Sequence, residues 1–113
     1  AVSGALKGEL TWMYNLPDWK TSVVYNGISC HNYDGWIDPA AVRGYYGIGP
    51  MDPMILFAGR MVYQKGPDLL VEPIPAILSY YPNAKFVFVG DGDMRWGIEE
   101  RAKAMGVSLA TRF

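Results

Sequence analysis

Apolar and polar positions along the chain follow two alternating patterns, which predict strands separated by helices. Short unbroken apolar runs occur in "MILFAG" from Met54 and "AKFVFVG" from Ala84, and both are bounded by turn-forming residues. Runs of this length are typical of strands that are buried on both faces. A third run, "VSLATRF", begins a strand at Val107. Because helical patterns separate the runs, the sequence predicts right-handed βαβ units with a parallel sheet.

Helical spacing of apolar residues follows each of the first two predicted strands. The expected inner faces hold Leu70, Ile74, Ile77, Leu78 and Tyr81 after Pro67, and Met94, Ile98, Ala102 and Met105 in the segment that Gly106 ends. A proline inside a helix costs about 3 kcal/mol, because it loses a hydrogen bond and clashes with the preceding turn. Pro73 and Pro75 therefore predict a kink or a late start near Glu72.

Weaker signals in the first half of the chain predict two helices and one short strand. Residues 3–14 have helical spacing at Leu6, Leu10 and Met13, so we expect a helix there. The pair Asp38-Pro39 is typical of a helix start, and Gly47 is typical of the end of that helix. Between the two, the β-branched run "KTSVVYNG" predicts a short strand that stops at its Asn-Gly pair.

The charge balance narrows the kind of partner that the chain can attract. Ten Lys and Arg residues against eleven Asp and Glu residues give a net charge of −1, so no general electrostatic field draws the chain to nucleic acid or to an anionic membrane. An anionic ligand would need a local site. The single cysteine, Cys30, excludes an internal disulfide, and the start of the chain lacks the long apolar stretch of a signal peptide or membrane span. A cytoplasmic setting is therefore expected.

The best candidate for a local anion site lies where the first predicted strand meets the next helix. In open parallel sheets, ligands bind beyond the carboxyl ends of the strands. Arg60 stands at such an end, and Lys65 follows just before the helix at Pro67, whose free amides could face an anion. A guanidinium can donate two hydrogen bonds to a pair of phosphate oxygens, and an ammonium adds a point charge beside them. Arg60 and Lys65 together therefore suit a diphosphate. In the alternative interpretation, Arg60 pairs with Asp91 or Asp93, and Lys65 is only solvated.

Other kinds of site are excluded by the residues present. The stretch "GRMVYQKG" lacks the Gly-Lys-Ser/Thr order of a P-loop, and Arg95 replaces the third glycine that a dinucleotide-binding loop needs in "GDGDMRWG". The Gly-Asp-Gly turn is therefore interpreted as a tight connection, and Asp91 and Asp93 as caps of the following helix. Cys30 and His31 are adjacent in the chain and are expected to point apart, so a catalytic pair is not expected. Together with Asp34 they offer too few ligands for a metal site.

Three stretches, taken in order, resemble one enzyme family over nearly all of the chain from Val23 onward. They are "VVYNGISCHNYD", "ILFAGRMVYQKGPDLL" and "FVFVGDGDMRWGIEERAKAMGV". In this order they are similar to the retaining, nucleotide-sugar-dependent glycosyltransferases of family four, which have the GT-B fold of two Rossmann-like domains facing a cleft. The resemblance implies a transferase of the hexosyltransferase kind that serves carbohydrate biosynthesis. It also implies an α/β fold class, with a partial Rossmann-like parallel sheet and flanking helices.

The resemblance implies roles for four residues of the candidate loop. Gly59 and Arg60 match the family's "GR", and Lys65 and Gly66 match its "KG". In the family, this arginine and lysine hold the diphosphate of the sugar donor. The donor would be a UDP-, ADP- or GDP-sugar that binds as a substrate, with neither a metal ion nor a tightly bound cofactor. The resemblance assigns no catalytic residue to this chain.

The same resemblance implies a domain organisation. The Asn-Gly pair at residues 26–27 matches the family's crossing between domains, so residues 1–25 are expected to end an acceptor domain or linker, and residues 26–113 to form the first half of the nucleotide-sugar-binding domain. The family's Glu-x7-Glu motif is not found after Val107, so the chain alone is expected to be inactive and to need the missing acceptor domain. The alternative is a non-catalytic Rossmann-like module that pairs, or self-associates, through the open sheet edge after Val107.

Overall fold

Three parallel strands organise residues 37–113, the second of the two units into which the computed structural model divides residues 1–113. The strands are β1 (Met54–Ala58), β2 (Lys85–Val89) and β3 (Thr111–Arg112), and they lie in that order across the sheet. Met54 lies opposite Lys85 in the first pair of strands, and Phe86 lies opposite Thr111 in the second. The predicted fold class, a partial Rossmann-like parallel sheet with flanking helices, is confirmed.

Three helices connect these strands. Helices α3 (Pro67–Val71) and α4 (Ile74–Tyr80) lie between β1 and β2, and α5 (Arg95–Ala104) lies between β2 and β3. The break between α3 and α4 falls at residues 72–73, so the kink expected from the two prolines is confirmed. Gly106, with φ +71°, follows the end of α5 as predicted.

The hydrophobic core lies between one face of the sheet and these helices. Its buried members are Met61, Val71, Ile74, Ala84, Phe86, Phe88, Ile98, Ala102, Val107 and Ala110. Ile55 and Phe57 of β1 pack against this cluster from the edge of the sheet. The predicted inner faces of the helices are confirmed except at Tyr81, which is 59% exposed because it lies after the end of α4 and no longer has a helical conformation.

The prediction that β1 is buried on both faces is wrong. Its residues alternate between exposed and half-buried, and Met54 and Leu56 are 43% and 54% exposed. A continuous apolar run shows that a strand tolerates burial on both sides, but burial also needs an element that covers each side. On β1, only the side of Ile55 and Phe57 has such a cover.

A short helix, α2 (Pro39–Tyr45), precedes the sheet as predicted. One carboxylate oxygen of Asp38 caps it by accepting a hydrogen bond of 3.0 Å from the Ala40 amide, and Gly47 follows the end of the helix with φ +63°. The guanidinium of Arg43 donates to the carbonyls of Gly49 and Asp52, which fixes the segment that leads into β1. The expected helix start and helix end are both confirmed.

Residues 1–36 form the other unit, and none of them is buried. Helix α1 (Gly4–Tyr14) is confirmed, and the Ser3 hydroxyl caps it by accepting from the Leu6 amide at 3.0 Å. The strand predicted in "KTSVVYNG" is wrong, because no neighbouring strand offers a hydrogen-bond ladder to this segment. Two distant hydrogen bonds reach its backbone: the Val24 amide donates to the Ala1 carbonyl at 2.8 Å, and the N-terminal ammonium of Ala1 donates to the Ser22 carbonyl at 2.9 Å. The expected functional division after residue 25 stays a prediction.

Candidate functional site

The loops after β1 and β2 lie side by side at the carboxyl edge of the sheet, where parallel sheets bind their ligands. Backbone hydrogen bonds continue between them past the ends of the strands. The Gly59 amide donates to the Val89 carbonyl at 2.9 Å, and the Met61 amide donates to the Asp91 carbonyl at 2.8 Å. Arg60 therefore sits between two anchored residues, and the backbone that carries it is held by the neighbouring loop.

Close backbone contact explains the glycines of the second loop. A Cβ atom on Gly90 would lie 2.0 Å from the Gly59 carbonyl oxygen, and one on Gly92 would lie 2.5 Å from the Met61 carbonyl oxygen. The φ values of +138° and +151° also lie where side chains are rarely accommodated. The Gly-Asp-Gly turn is thus a tight connection, as its sequence suggested, and its glycines are required by packing.

Arg60 and Lys65 are exposed, and neither side chain forms an ion pair or hydrogen bond within the chain. The alternative in which Arg60 pairs with Asp91 or Asp93 is therefore wrong. Asp91 instead accepts a hydrogen bond of 2.8 Å from the Gly92 amide. Two unpaired cations on one loop remain available to a ligand from solvent.

The spacing of the two cations is set by a short turn with a buried anchor. Residues 63–65 form a single 3₁₀ turn, in which the Lys65 amide donates to the Val62 carbonyl at 2.9 Å. Met61 is fully buried in the core and holds the start of this turn. Gly66 ends the turn with φ +62°, and α3 begins at the next residue. The loop thus presents its cations from a backbone that is fixed to the core.

The helix that follows this loop contributes less to an anion site than its sequence suggested. Helix α3 has only five residues, so its dipole is small, and Asp68 places a negative charge in its first turn. One oxygen of that carboxylate is buried without a hydrogen-bond partner. The positive charge of the candidate site therefore comes from the Arg60 and Lys65 side chains.

An ion pair fixes the helices behind the two loops relative to each other. Both carboxylate oxygens of Glu72 accept from the Arg101 guanidinium, at 2.8 and 2.9 Å. These charged hydrogen bonds lower the pKa of Glu72 and raise the pKa of Arg101. The two groups are largely exposed, so the pair sets geometry more than it adds stability.

The second loop carries charge of the opposite sign. A cavity of about 320 Å³ is lined there by Asp91, Gly92, Asp93, Arg95, Trp96 and Glu99. Within it, the Arg95 Nε donates to Glu99 at 2.9 Å, and this bond raises the pKa of Arg95. The prediction that Asp91 and Asp93 cap α5 is wrong, because Met94 occupies the cap position and no side chain caps the helix.

Sequence reasoning missed this cavity and a second one near α2. The signal for the first was present, because Arg95 and Glu99 stand four residues apart on a helix. The second cavity, also about 320 Å³, is lined by Ile37, Pro39, Val42, Arg43, Tyr46, Ile48 and Met54. Met54 begins β1, so the apolar cavity lies at the end of the strand opposite Arg60. No group of three or more His, Cys, Asp or Glu side chains is arranged to hold a metal ion.

Comparison with known proteins decides the family. The sequence profile described as "Glycosyl transferases group 1" matches residues 41–113, which include all three strands and both loops. The chain belongs to this family. Its candidate site thus lies in the part of the chain that carries the family match.

The longest helix has eleven residues, and no helix has the length and apolar character needed to cross a membrane.

Individual relatives are sugar transferases or synthases by name. An uncharacterized glycosyltransferase of Methanocaldococcus jannaschii is 39% identical over 109 residues, which cover 94% of this chain and 28% of the relative. A D-inositol 3-phosphate glycosyltransferase of Segniliparus rotundus is 30% identical over 105 residues, covering 89% of this chain and 23% of the relative. A glycogen synthase of Hydrogenovibrio crunogenus is 42% identical over 60 residues, which cover 53% of this chain and 11% of the relative. The chain thus spans about a quarter of the length of the first two.

Proposed function

We propose that this chain supplies the diphosphate-binding part of a retaining, family-four transferase of the GT-B fold. The donor would be a nucleoside diphosphate sugar with uridine, adenosine or guanosine as its base. One observation carries the proposal: in a chain of a glycosyltransferase family, Arg60 and Lys65 are both exposed and unpaired on one anchored loop at the carboxyl edge of the sheet.

The chemistry of the two side chains suits a leaving diphosphate. As the bond between the sugar and its phosphate oxygen breaks, negative charge builds up on the departing nucleoside diphosphate. The Arg60 guanidinium donates two parallel hydrogen bonds to phosphate oxygens, and the Lys65 ammonium adds a positive charge beside them. Gly59 and Gly66 flank the pair without side chains that would crowd the phosphates. The cations thus stabilise the charge that develops during transfer.

The proposal assigns different domains of the parent protein to the two parts of this chain. Residues 1–25 would end the acceptor domain or a linker, and residues 26–113 would form part of the donor domain. Transfer then needs an acceptor domain as well, so this chain binds the donor but does not catalyse transfer by itself. Arg60 and Lys65 are accordingly binding residues.

Calorimetric titration of the chain with UDP, ADP and GDP tests the binding claim. Losing one charged hydrogen-bond donor lowers affinity by about tenfold or more, so Arg60→Ala and Lys65→Ala should each weaken the preferred nucleotide by at least that factor. Lys85→Ala is the matched control, because Lys85 is the first residue of β2 and so lies at the amino end of the strands, far from the loop after β1. Equal affinity in wild type and both site variants would show that the assignment is wrong.

A second candidate function rests on a different observation. The edge strand after Val107, β3, has only two residues, whereas the other edge strand, β1, has five uncharged residues, of which Leu56 is 54% exposed. Uncharged edges of this kind favour pairing with another strand. If the chain is a non-catalytic assembly module, it should sediment as a dimer, Leu56→Lys should make it monomeric, and no nucleotide should bind.

A further inference from the structure

No hydrogen bond restrains the backbone around Asn26. The nearest backbone bonds on either side are the one from Val24 to Ala1 and the one that the Ser29 carbonyl accepts. Asn26 and Gly27 are exposed and lie outside every helix and strand. The Gly27 amide donates to no acceptor, and a Cβ atom on Gly27 would meet nothing within 4 Å. This amide is therefore free to turn towards the Asn26 side chain.

The other three asparagines of the chain lie in hydrogen-bonded turns. The Leu16 amide, which follows Asn15, donates to a carbonyl of α1 at 3.1 Å. The Ala84 amide, which follows Asn83, donates to the carbonyl just after α4 at 2.9 Å. The third, Asn32, lies inside a 3₁₀ turn. Asn26 alone precedes a glycine, and it does so in a segment whose backbone is open.

The pair at residues 26–27 can undergo an intramolecular reaction that consumes only water. The Gly27 amide nitrogen, after losing its proton to solvent, attacks the side-chain carbonyl carbon of Asn26. The bond from that carbon to the side-chain nitrogen breaks, and the nitrogen takes up a proton and leaves as ammonia. Water then opens the resulting cyclic imide at either of its two carbonyls, which gives aspartate or isoaspartate. Glycine favours the attack because it has no side chain beside the nitrogen and rotates freely.

We propose that Asn26 is a self-modification site, at which the folded chain converts asparagine to aspartate and isoaspartate through its own backbone amide. The product adds one negative charge to a chain whose formal net charge is −1. Isoaspartate also lengthens the backbone by one carbon atom, because the chain then runs through the side-chain carbonyl. In the domain division proposed above, this change lies at the crossing into the donor domain, but the modification does not depend on that division.

Mass spectrometry of tryptic peptides, after incubation of the chain at neutral pH, detects the modification. Trypsin releases residues 21–43 as one peptide, which contains both Asn26 and Asn32. This peptide should gain the mass difference between a hydroxyl and an amino group, and fragmentation should place the gain at Asn26. Electron-transfer fragmentation separates aspartate from isoaspartate. Asn32, and the peptides that contain Asn15 and Asn83, are internal controls that should stay unchanged over the same period.

Two variants test the chemistry of the reaction. Asn26→Gln keeps a side-chain amide but would need a larger ring, so the mass gain should be lost. Gly27→Ala should slow the gain several-fold, because a Cβ atom restricts the rotation that the attack needs. The space around Gly27 is open, so the fold should be unaffected. An unchanged wild-type peptide would overturn the proposal, and so would a gain that is equally fast in Gly27→Ala.

Leu16→Gly tests whether the free amide selects Asn26. This variant creates a second Asn-Gly pair, at residues 15–16, whose glycine amide occupies the position that donates to the Thr11 carbonyl. Because a bonded amide must first open, Asn26 should react several-fold faster than Asn15 in the folded chain. In concentrated urea, which removes that bond, the two should react at equal rates. Equal rates already in the folded chain would show that the structure does not select Asn26.

Discussion

The loops after β1 and β2 begin alike and serve different ends. Each follows a strand that packs on the core, each starts with a glycine, and backbone hydrogen bonds join them. In the second loop, the glycines are dictated by backbone atoms of the first. In the first loop, the side chains of Arg60 and Lys65 form no ion pair within the chain. A glycine-rich turn at the carboxyl edge of a sheet can thus serve packing, while the exposed cations stand on the loop beside it.

The first loop also has a structural residue of its own. Met61 is completely buried, although it lies directly after Arg60 and four residues before Lys65. Each loop therefore has some residues that are packed against the rest of the chain and others that are exposed to solvent. Substituting one kind of residue at a time separates their effects.

Substitution of the packed glycine should have the largest effect. In Gly90→Ala, the new methyl group would lie 2.0 Å from the Gly59 carbonyl oxygen, at a φ that alanine rarely adopts. The two loops must then separate, and we expect a loss of at least about 3 kcal/mol in the free energy of unfolding. Urea-induced unfolding followed by circular dichroism measures the change.

The matched control for this prediction is Gly97→Ala in α5. A Cβ atom there meets nothing within 4 Å, and the residue is helical. Alanine should therefore stabilise the chain by about 0.5–1 kcal/mol. If both variants lose stability to the same extent, close contact between the loops is not the reason that Gly90 is needed.

Truncation of the buried anchor should have the next largest effect. In Met61→Ala, the core loses a fully buried side chain, which costs about 2–5 kcal/mol. Tyr63→Ala removes a larger side chain from the same loop, but that side chain is 83% exposed, so its cost should stay within about 0.5 kcal/mol. The same urea titration compares the two. A Tyr63 variant that is as unstable as the Met61 variant would contradict the described packing of this loop.

The ion pair behind the loops should produce the smallest effect, and one that depends on pH. Because Arg101 lowers the pKa of Glu72 in the folded chain, the pair stabilises the fold above the ordinary glutamate range. That contribution should disappear as the pH falls through the lowered pKa and Glu72 becomes protonated. The thermal unfolding midpoint of Arg101→Gln should thus lie slightly below that of wild type at neutral pH and coincide with it in strong acid.

Lys103→Gln provides a comparison for the ion-pair test. Lys103 pairs with Glu100 within α5, so its removal does not affect the link between α3 and α5. A wild-type advantage over Arg101→Gln that persists in strong acid would show that Arg101 acts through packing and not through its charge.

The sequence could predict those features of the fold that are caused by residues close together along the chain. The break at Glu72 follows from two prolines, and the start of α2 follows from Asp38-Pro39, because both causes act within one helical turn. The strands β1 and β2 were predicted for the same reason. The wrong strand in "KTSVVYNG" shows the limit of this approach, since a strand also needs a partner that its own residues do not specify.

For the candidate site, residue types could be predicted but contacts could not. The sequence places Arg60 at a strand end, yet whether it meets Asp91 depends on the register of two loops and on side-chain rotamers. In the structure, the Asp91 carboxylate accepts from the Gly92 amide, and its carbonyl accepts from the Met61 amide. The exposed face of β1 was missed for a similar reason, because an apolar run does not reveal which of its sides another element covers.

The absence of buried residues from residues 1–36 determines how the chain should exchange its amide protons with deuterium. Amides in β2 lie within the core, so they exchange only when residues 37–113 unfold together. Amides in α1 are protected by hydrogen bonds of one exposed helix and can exchange by local opening. A melting curve of this chain will therefore report the unfolding of residues 37–113. The amides of residues 1–36 will exchange faster, and independently of that unfolding.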